Sequence, residues 1–103
     1  MAQLIYTTVR SLQEARTIAS ALVRERLAAC TNIIPKIESI YRWKGKVEGA
    51  TECILIAKTR DEKAQACIDR IHALHSYELP DIIQIPIVGG LPDYLTYLRD
   101  ETT

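Results

Sequence analysis

The sequence predicts an α+β fold, with two amphipathic helices covering one side of a four-stranded antiparallel sheet. Three observations predict it. Four extended segments and two helical ones follow the order β-α-β-β-α-β, and a short helix closes the chain. A Ser/Thr-x-x-Glu box precedes each main helical stripe. Prolines fall in the second and fourth extended segments, where only edge strands tolerate a missing N–H.

The elements follow in order. Gln3 to Val9 is rich in β-branched and aromatic residues and reads as the first strand. Ser11 and Glu14 form a capping box, behind which Leu12, Ala15, Ile18, Ala19, Leu22 and Val23 recur at helical spacing to about Arg26. From Cys30 the pattern turns extended, passes Pro35 and runs to Trp43. Lys44-Gly45-Lys46 reads as a turn and Glu52 to Lys58 as the returning strand of a long hairpin. Thr59 and Glu62 make the second capping box, and Ala64, Ile68, Ile71 and Leu74 form the apolar stripe of the second helix. Ile82 to Val88 is a fourth strand. After Gly89-Gly90, Pro92 opens a closing helix to about Arg99. This order is the split βαβ, or ferredoxin-like, topology in a single domain spanning residues 1–103. Right-handed crossovers place both main helices on one face of the sheet.

With one face open, the strands should alternate apolar and polar. They do not. Cys53, Leu55 and Ala57 oppose Ile54 and Ile56, Ile5 and Val9 oppose Leu4 and Tyr6, and Ile83, Ile85 and Ile87 oppose Ile82 and Val88. Leaving ~400 Å2 of such surface wet forgoes about 10 kcal/mol, comparable to the whole stability of a small domain. One short C-terminal helix cannot span four strands, so the sequence predicts an oligomer whose subunits cover one another's sheets. The tip of the hairpin, with Tyr41, Arg42 and Trp43, extends past what the core requires and is expected to reach another subunit.

Composition narrows the partners. Thirteen Lys and Arg balance thirteen Asp and Glu, so no global field draws phosphate backbones or anionic membranes. Neither nucleic acid nor membrane is an expected partner. Met1 to Tyr6 carries no basic leader pattern. The three cysteines, Cys30, Cys53 and Cys67, are odd in number and include no Cys-x-x-Cys. That opposes a disulfide framework, a zinc ribbon and a thioredoxin-type pair, and points to a reducing cytoplasm. No dinucleotide fingerprint, phosphate-cradling lysine loop or nucleophile elbow occurs. Thr7-Thr8-Val9-Arg10-Ser11 lacks the glycine that an anion-binding hydrolase loop needs, so no enzyme is expected.

Leu27-Ala28-Ala29-Cys30-Thr31-Asn32-Ile33-Ile34-Pro35 and Ser39-Ile40-Tyr41-Arg42-Trp43-Lys44-Gly45-Lys46 are followed by Lys58-Thr59, Leu74-His75-Ser76-Tyr77-Glu78-Leu79-Pro80-Asp81-Ile82 and Pro92-Asp93-Tyr94-Leu95. Together these segments resemble the signature of the CutA divalent-cation-tolerance family over nearly the whole chain. The resemblance implies a cytoplasmic homotrimer of ferredoxin-like subunits linked to copper tolerance and divalent-metal binding, similar in form to the trimeric nitrogen-regulatory signalling proteins. Two departures stand out. The family's His-Pro-Tyr-Glu is His75-Ser76-Tyr77-Glu78 here. Of the copper ligands assigned in some members, the cysteine falls on Tyr6 and the first histidine on Leu74, so only His75 survives.

Two sets of side chains are candidates for the site. His72 and His75 stand three apart near the end of the second helix, where two imidazoles suit copper(II) or another divalent cation. Cys30 adds a soft ligand if the fold or a trimer brings it there. The alternative is a pair of histidines favoured by the helix dipole, with His75 packed near Ile68 and Ile71. Trp43, Lys58, Tyr77, Glu78 and Asp81 are candidates for a polar cleft between subunits, or for a structural ion-pair network at the seam. Two functions follow: a metal-binding tolerance trimer without organic cofactor, and a signalling or scaffold trimer holding a small ligand in its clefts.

Overall fold

The computed structural model describes residues 1–103. In chain order the elements are β1 (Ala2–Val9), α1 (Leu12–Arg24), β2 (Cys30–Trp43), β3 (Lys46–Arg60), α2 (Asp61–Leu74), β4 (Ile83–Ile87) and α3 (Pro92–Asp100). The strands lie in the order β2-β3-β1-β4, antiparallel throughout, which is the expected ferredoxin-like α+β arrangement with an extended hairpin and a closing helix. Both proline-bearing strands are at the edges. Pro86 sits opposite Gln3, and Pro35 lies where the ladder shifts register between Ile34 and Ile37.

Local chemistry sets the boundaries. The Ser11 hydroxyl oxygen accepts from the Glu14 N–H at 3.2 Å, capping α1. The helix stops two residues earlier than its apolar stripe suggests, because Arg26 takes a left-handed φ of 59° and Leu27 N–H closes onto the Leu22 carbonyl at 2.9 Å. At the hairpin tip Lys44 and Gly45 have φ of 48° and 81°, the paired positive angles of a tight two-residue turn. The hairpin then pairs without a break from Trp43–Lys46 to Ile37–Glu52, so β3 begins at Lys46 rather than Glu52. The second predicted capping box does not form. Thr59 stays in the strand opposite Gln3, fully buried, and α2 starts at Asp61 with no side-chain cap.

Register assigns each face. Ile5, Thr7 and Val9 stand opposite Ala57, Leu55 and Cys53, and this side packs with Ala15, Ile18, Leu22, Ala64, Cys67 and Ile71 from the two helices. On the other face Leu4 and Tyr6 lie between Lys58 and Ile56 of β3 and Ile85 and Ile83 of β4. At one end the loop between α2 and β4 touches that face through Tyr77 on Glu52 and Asp81 on Thr8; at the other α3 does, where Leu98 and Leu95 pack on Ala2, Ala29 and Ile87. Ile83 remains 50% exposed, Ile85 42% and Ile34 45%. The two-sided apolar sheet is real, and in one chain its second face is bare between α3 and the α2–β4 loop.

Candidate functional site

The polar groups gather where β1 ends, beneath the loop between α2 and β4. α2 stops at Leu74, and His75 turns extended (φ −76°, ψ 140°), so its ring leaves the helix surface that carries His72. The His75 side chain is completely buried. Its Nε2 lies 2.9 Å from the Thr8 carbonyl, and the Tyr77 N–H reaches Nδ1 at 3.2 Å. An amide N–H can only donate and a carbonyl can only accept, so Nδ1 is the acceptor and Nε2 carries the hydrogen. Both nitrogens are engaged in this conformation. A cation can reach either one only by displacing one of these bonds.

Carboxylates pin the same loop from three sides. Asp81 accepts from the Thr8 N–H at 3.1 Å and from the Thr8 hydroxyl at 2.6 Å, in line with the end of β4. Glu14, which the capping box would have turned back on Ser11, instead accepts from the Ser76 N–H at 2.9 Å and the Ser76 hydroxyl at 2.8 Å. The Tyr77 hydroxyl donates to Glu52 Oε2 at 2.5 Å. Burial pushes the Tyr77 phenol well above its ordinary range, and the Glu52 and Glu14 carboxylates add to the shift, with Arg10 opposing it.

Glu52 is the unexpected residue. It is 7% exposed, on the face away from α1 and α2 and in line with Ile54 and Ile56, and a single neutral hydroxyl is the only hydrogen-bond partner of its carboxylate. Buried carboxylates ordinarily keep a cation or several donors. Its signal in the sequence is a charge set directly before the aliphatic run Cys53 to Ile56.

The remaining candidates are dispersed within one chain. Cys30 is half-buried opposite Lys58, near the other end of β3, and the buried Cys53 and Cys67 are core residues. His72 is exposed on α2. No three His, Cys, Asp or Glu side chains cluster as a metal site, so the predicted His72, His75 and Cys30 set is not assembled by one chain. Of the predicted cleft, Tyr77 and Asp81 meet around His75. Glu78 is exposed, and the Lys58 ammonium lies 5.7 Å from the Tyr94 ring with no carboxylate beside it. Trp43 pairs with Lys46 at the hairpin tip. At about 3.3 Å per residue, Lys46 and Lys58 stand about 40 Å apart along β3. Trp43 and Lys58 therefore cannot share a cleft within one subunit.

The fold and this polar end define a small ferredoxin-like protein with an elongated hairpin and a sheet face that its own chain covers only in part. The CutA1 divalent ion tolerance protein family model matches residues 3–101, and the chain belongs to that family. It is 46% identical over 102 residues to the divalent-cation tolerance protein CutA of Thermus thermophilus, covering 99% of each chain. The Archaeoglobus fulgidus protein of the same name is 48% identical over 102 residues, covering 99% of this chain and 98% of the relative. The chloroplastic CutA of Arabidopsis thaliana is 41% identical over 98 residues; that match covers 95% of this chain and 54% of the longer plant protein. The solved T. thermophilus structure superposes with a TM-score of 0.96 at 46% identity over 100% of both chains. The periplasmic divalent cation tolerance protein CutA from A. fulgidus gives 0.96 at 44% identity, again over 100% of both. No helix is long and apolar enough to cross a membrane.

Proposed function

We propose that the chain acts as a homotrimer in the cytoplasm, and that it serves divalent-cation tolerance by binding the ion rather than by catalysing a reaction. Family membership supports the tolerance role. The bare apolar face supports self-assembly, since half-exposed Ile83 and Ile85 each gain about 1 kcal/mol when covered. Three cysteines free of disulfides suit a reducing compartment. The observation that carries the reading is Glu52, a buried carboxylate whose only partner is the Tyr77 hydroxyl. A hard oxygen donor of this kind fits copper(II) or another divalent cation once a neighbouring copy adds further ligands. His72, exposed at the end of α2, and Cys30, half-buried on the uncovered face, are the side chains of the original set that remain open to such a role.

A second reading is favoured by Lys58, half-buried on the same face with no carboxylate in its own chain. In it, Lys58 and Trp43 of one copy meet Tyr77, Glu78 and Asp81 of the next around a small polar ligand. Calorimetric titration with copper(II), alongside sedimentation, tests both. The metal reading expects trimers that bind the ion, with affinity lost in Glu52→Gln. Equal binding by wild type and Glu52→Gln overturns the role given to Glu52, and a folded monomer overturns both readings.

A further inference from the structure

Away from the polar end, on the helix-covered side of the sheet, a groove of about 410 Å3 runs between α1 and β2. Arg16 and Arg24 line it from the helix. Ser20 and Thr31 supply hydroxyls, and Val23 and Ile33 are part of its apolar lining. No carboxylate lines the groove, and neither arginine belongs to any ion pair in the chain. Arg26, Arg60, Arg70 and Arg99 each hold a carboxylate, and Arg10 and Arg42, also free of ion pairs, lie outside the groove. Two unpaired guanidiniums beside an apolar strip, in a chain of zero net charge, make a local cationic site that the global balance conceals.

Geometry narrows what fits. Arg16 and Arg24 are eight residues apart on α1, about 12 Å at 1.5 Å per residue. An extended chain suits that span. Its side chains i and i+4 share a face and stand about 13 Å apart, matching the arginines, and residue i+2 falls between them. β2 is the outer strand of the sheet, so the groove is open along its flank.

We propose that this groove is a docking site for an extended acidic peptide segment of a partner protein. The segment carries carboxylates at i and i+4 for Arg16 and Arg24, with an apolar side chain at i+2 resting on Val23 and Ile33. Guanidinium forks match carboxylates in two-point geometry, which favours Arg over Lys at both ends. The site is independent of the cleft at Glu52 and stands or falls separately.

The test is fluorescence anisotropy with labelled, end-blocked Glu-Ser-Leu-Ser-Glu on the full chain. The controls are Gln-Ser-Leu-Ser-Gln and the shortened Glu-Ser-Leu-Glu, in which the carboxylates lie on opposite faces. Binding is expected for the first peptide alone, weakening as salt rises. Arg16→Gln and Arg24→Gln should each weaken it about three- to fivefold, and Val23→Ser should weaken it without changing its salt dependence. Both arginines are exposed, so the variants are expected to fold, which circular dichroism checks. Equal binding of Glu-Ser-Leu-Glu, or no effect of either arginine variant, overturns the proposal. Displacement by free sebacate at the peptide's own concentration makes the groove a small-dicarboxylate site instead. A change of assembly mass in Arg16→Gln makes it a contact between copies, and either result also overturns the peptide assignment.

Discussion

Replacing Tyr77 by Phe removes one hydroxyl and leaves the ring in place beside His75, 4.7 Å away between centroids. What it strips is the only hydrogen bond to a carboxylate that is 7% exposed. Hydrogen bonds to charged groups contribute about 1.5–3 kcal/mol, and an orphaned buried charge sits at the upper end of that range. Tyr77→Phe should therefore lose about 2–3 kcal/mol in urea unfolding, measured at fixed protein concentration so that assembly does not distort the comparison. Glu52→Gln keeps an acceptor and should cost about 1 kcal/mol. In the double variant nothing charged is stranded, so the cycle should return a coupling of about 1–2 kcal/mol. There is also a pH signature. The folded phenol titrates above its unfolded value of about 10, so folding keeps a proton that the unfolded chain releases. Wild-type stability then falls as pH rises past about 10, and its advantage over Tyr77→Phe narrows there. A Tyr77→Phe loss under about 0.5 kcal/mol, or a coupling of zero, refutes the account of Glu52 as a carboxylate held by one hydroxyl.

Other expectations follow from the same geometry. Ile85→Glu places a charge on the bare face, 42% exposed in one chain, and should shift sedimentation toward monomer; an unchanged assembly mass would show that this face is not the contact. His75→Ala deletes a fully buried ring with two hydrogen bonds, so it should lose about 3 kcal/mol in urea while leaving copper(II) affinity per folded subunit unaltered in calorimetry. Burial pushes the Cys67 thiol from 9.0 up to about 12. Its raised value makes stability complete below pH 9 and progressively lost between 9 and 12, by about 1.4 kcal/mol per pH unit at most. Cys67→Ala should flatten that alkaline limb in pH-dependent denaturation, and an identical slope in both proteins would contradict it.

The sheet was legible because its signals are local and periodic. Alternation placed Leu55 and Ile56 on opposite faces, prolines marked the edge strands, and the apolar excess exposed the missing cover. Helix ends were read less well. Ser11 caps α1 as expected, but Thr59 answers to its strand partner Gln3 rather than to the helix behind it, because a buried cross-strand position outweighs a capping preference. The site was legible in part. His75, Tyr77 and Asp81 do converge, yet the i, i+3 reading of the histidines failed because the helix ends one residue too soon. Nothing local marks Glu14 or Glu52 as part of the site, since each is recruited by a residue far along the chain, at separations of 62 and 25, which periodicity cannot register.

The interruption at Pro35 and Lys36, where Lys36 adopts φ 63°, adds one residue to β2 that β3 does not match. Ile34 and Ile37, an odd number of positions apart, consequently point the same way, one opposite Ile54 and the other opposite Glu52. That spare residue sets the bend and local twist with which the whole distal arm is presented. Deleting Lys36 would leave Pro35 opposite Cys53 and Ile37 still opposite Glu52, so Tyr41 and Trp43 would keep their side and the arm would lose only its bend. The bulge is thus a joint: it tilts the arm against the body while leaving fixed which of its residues share a face.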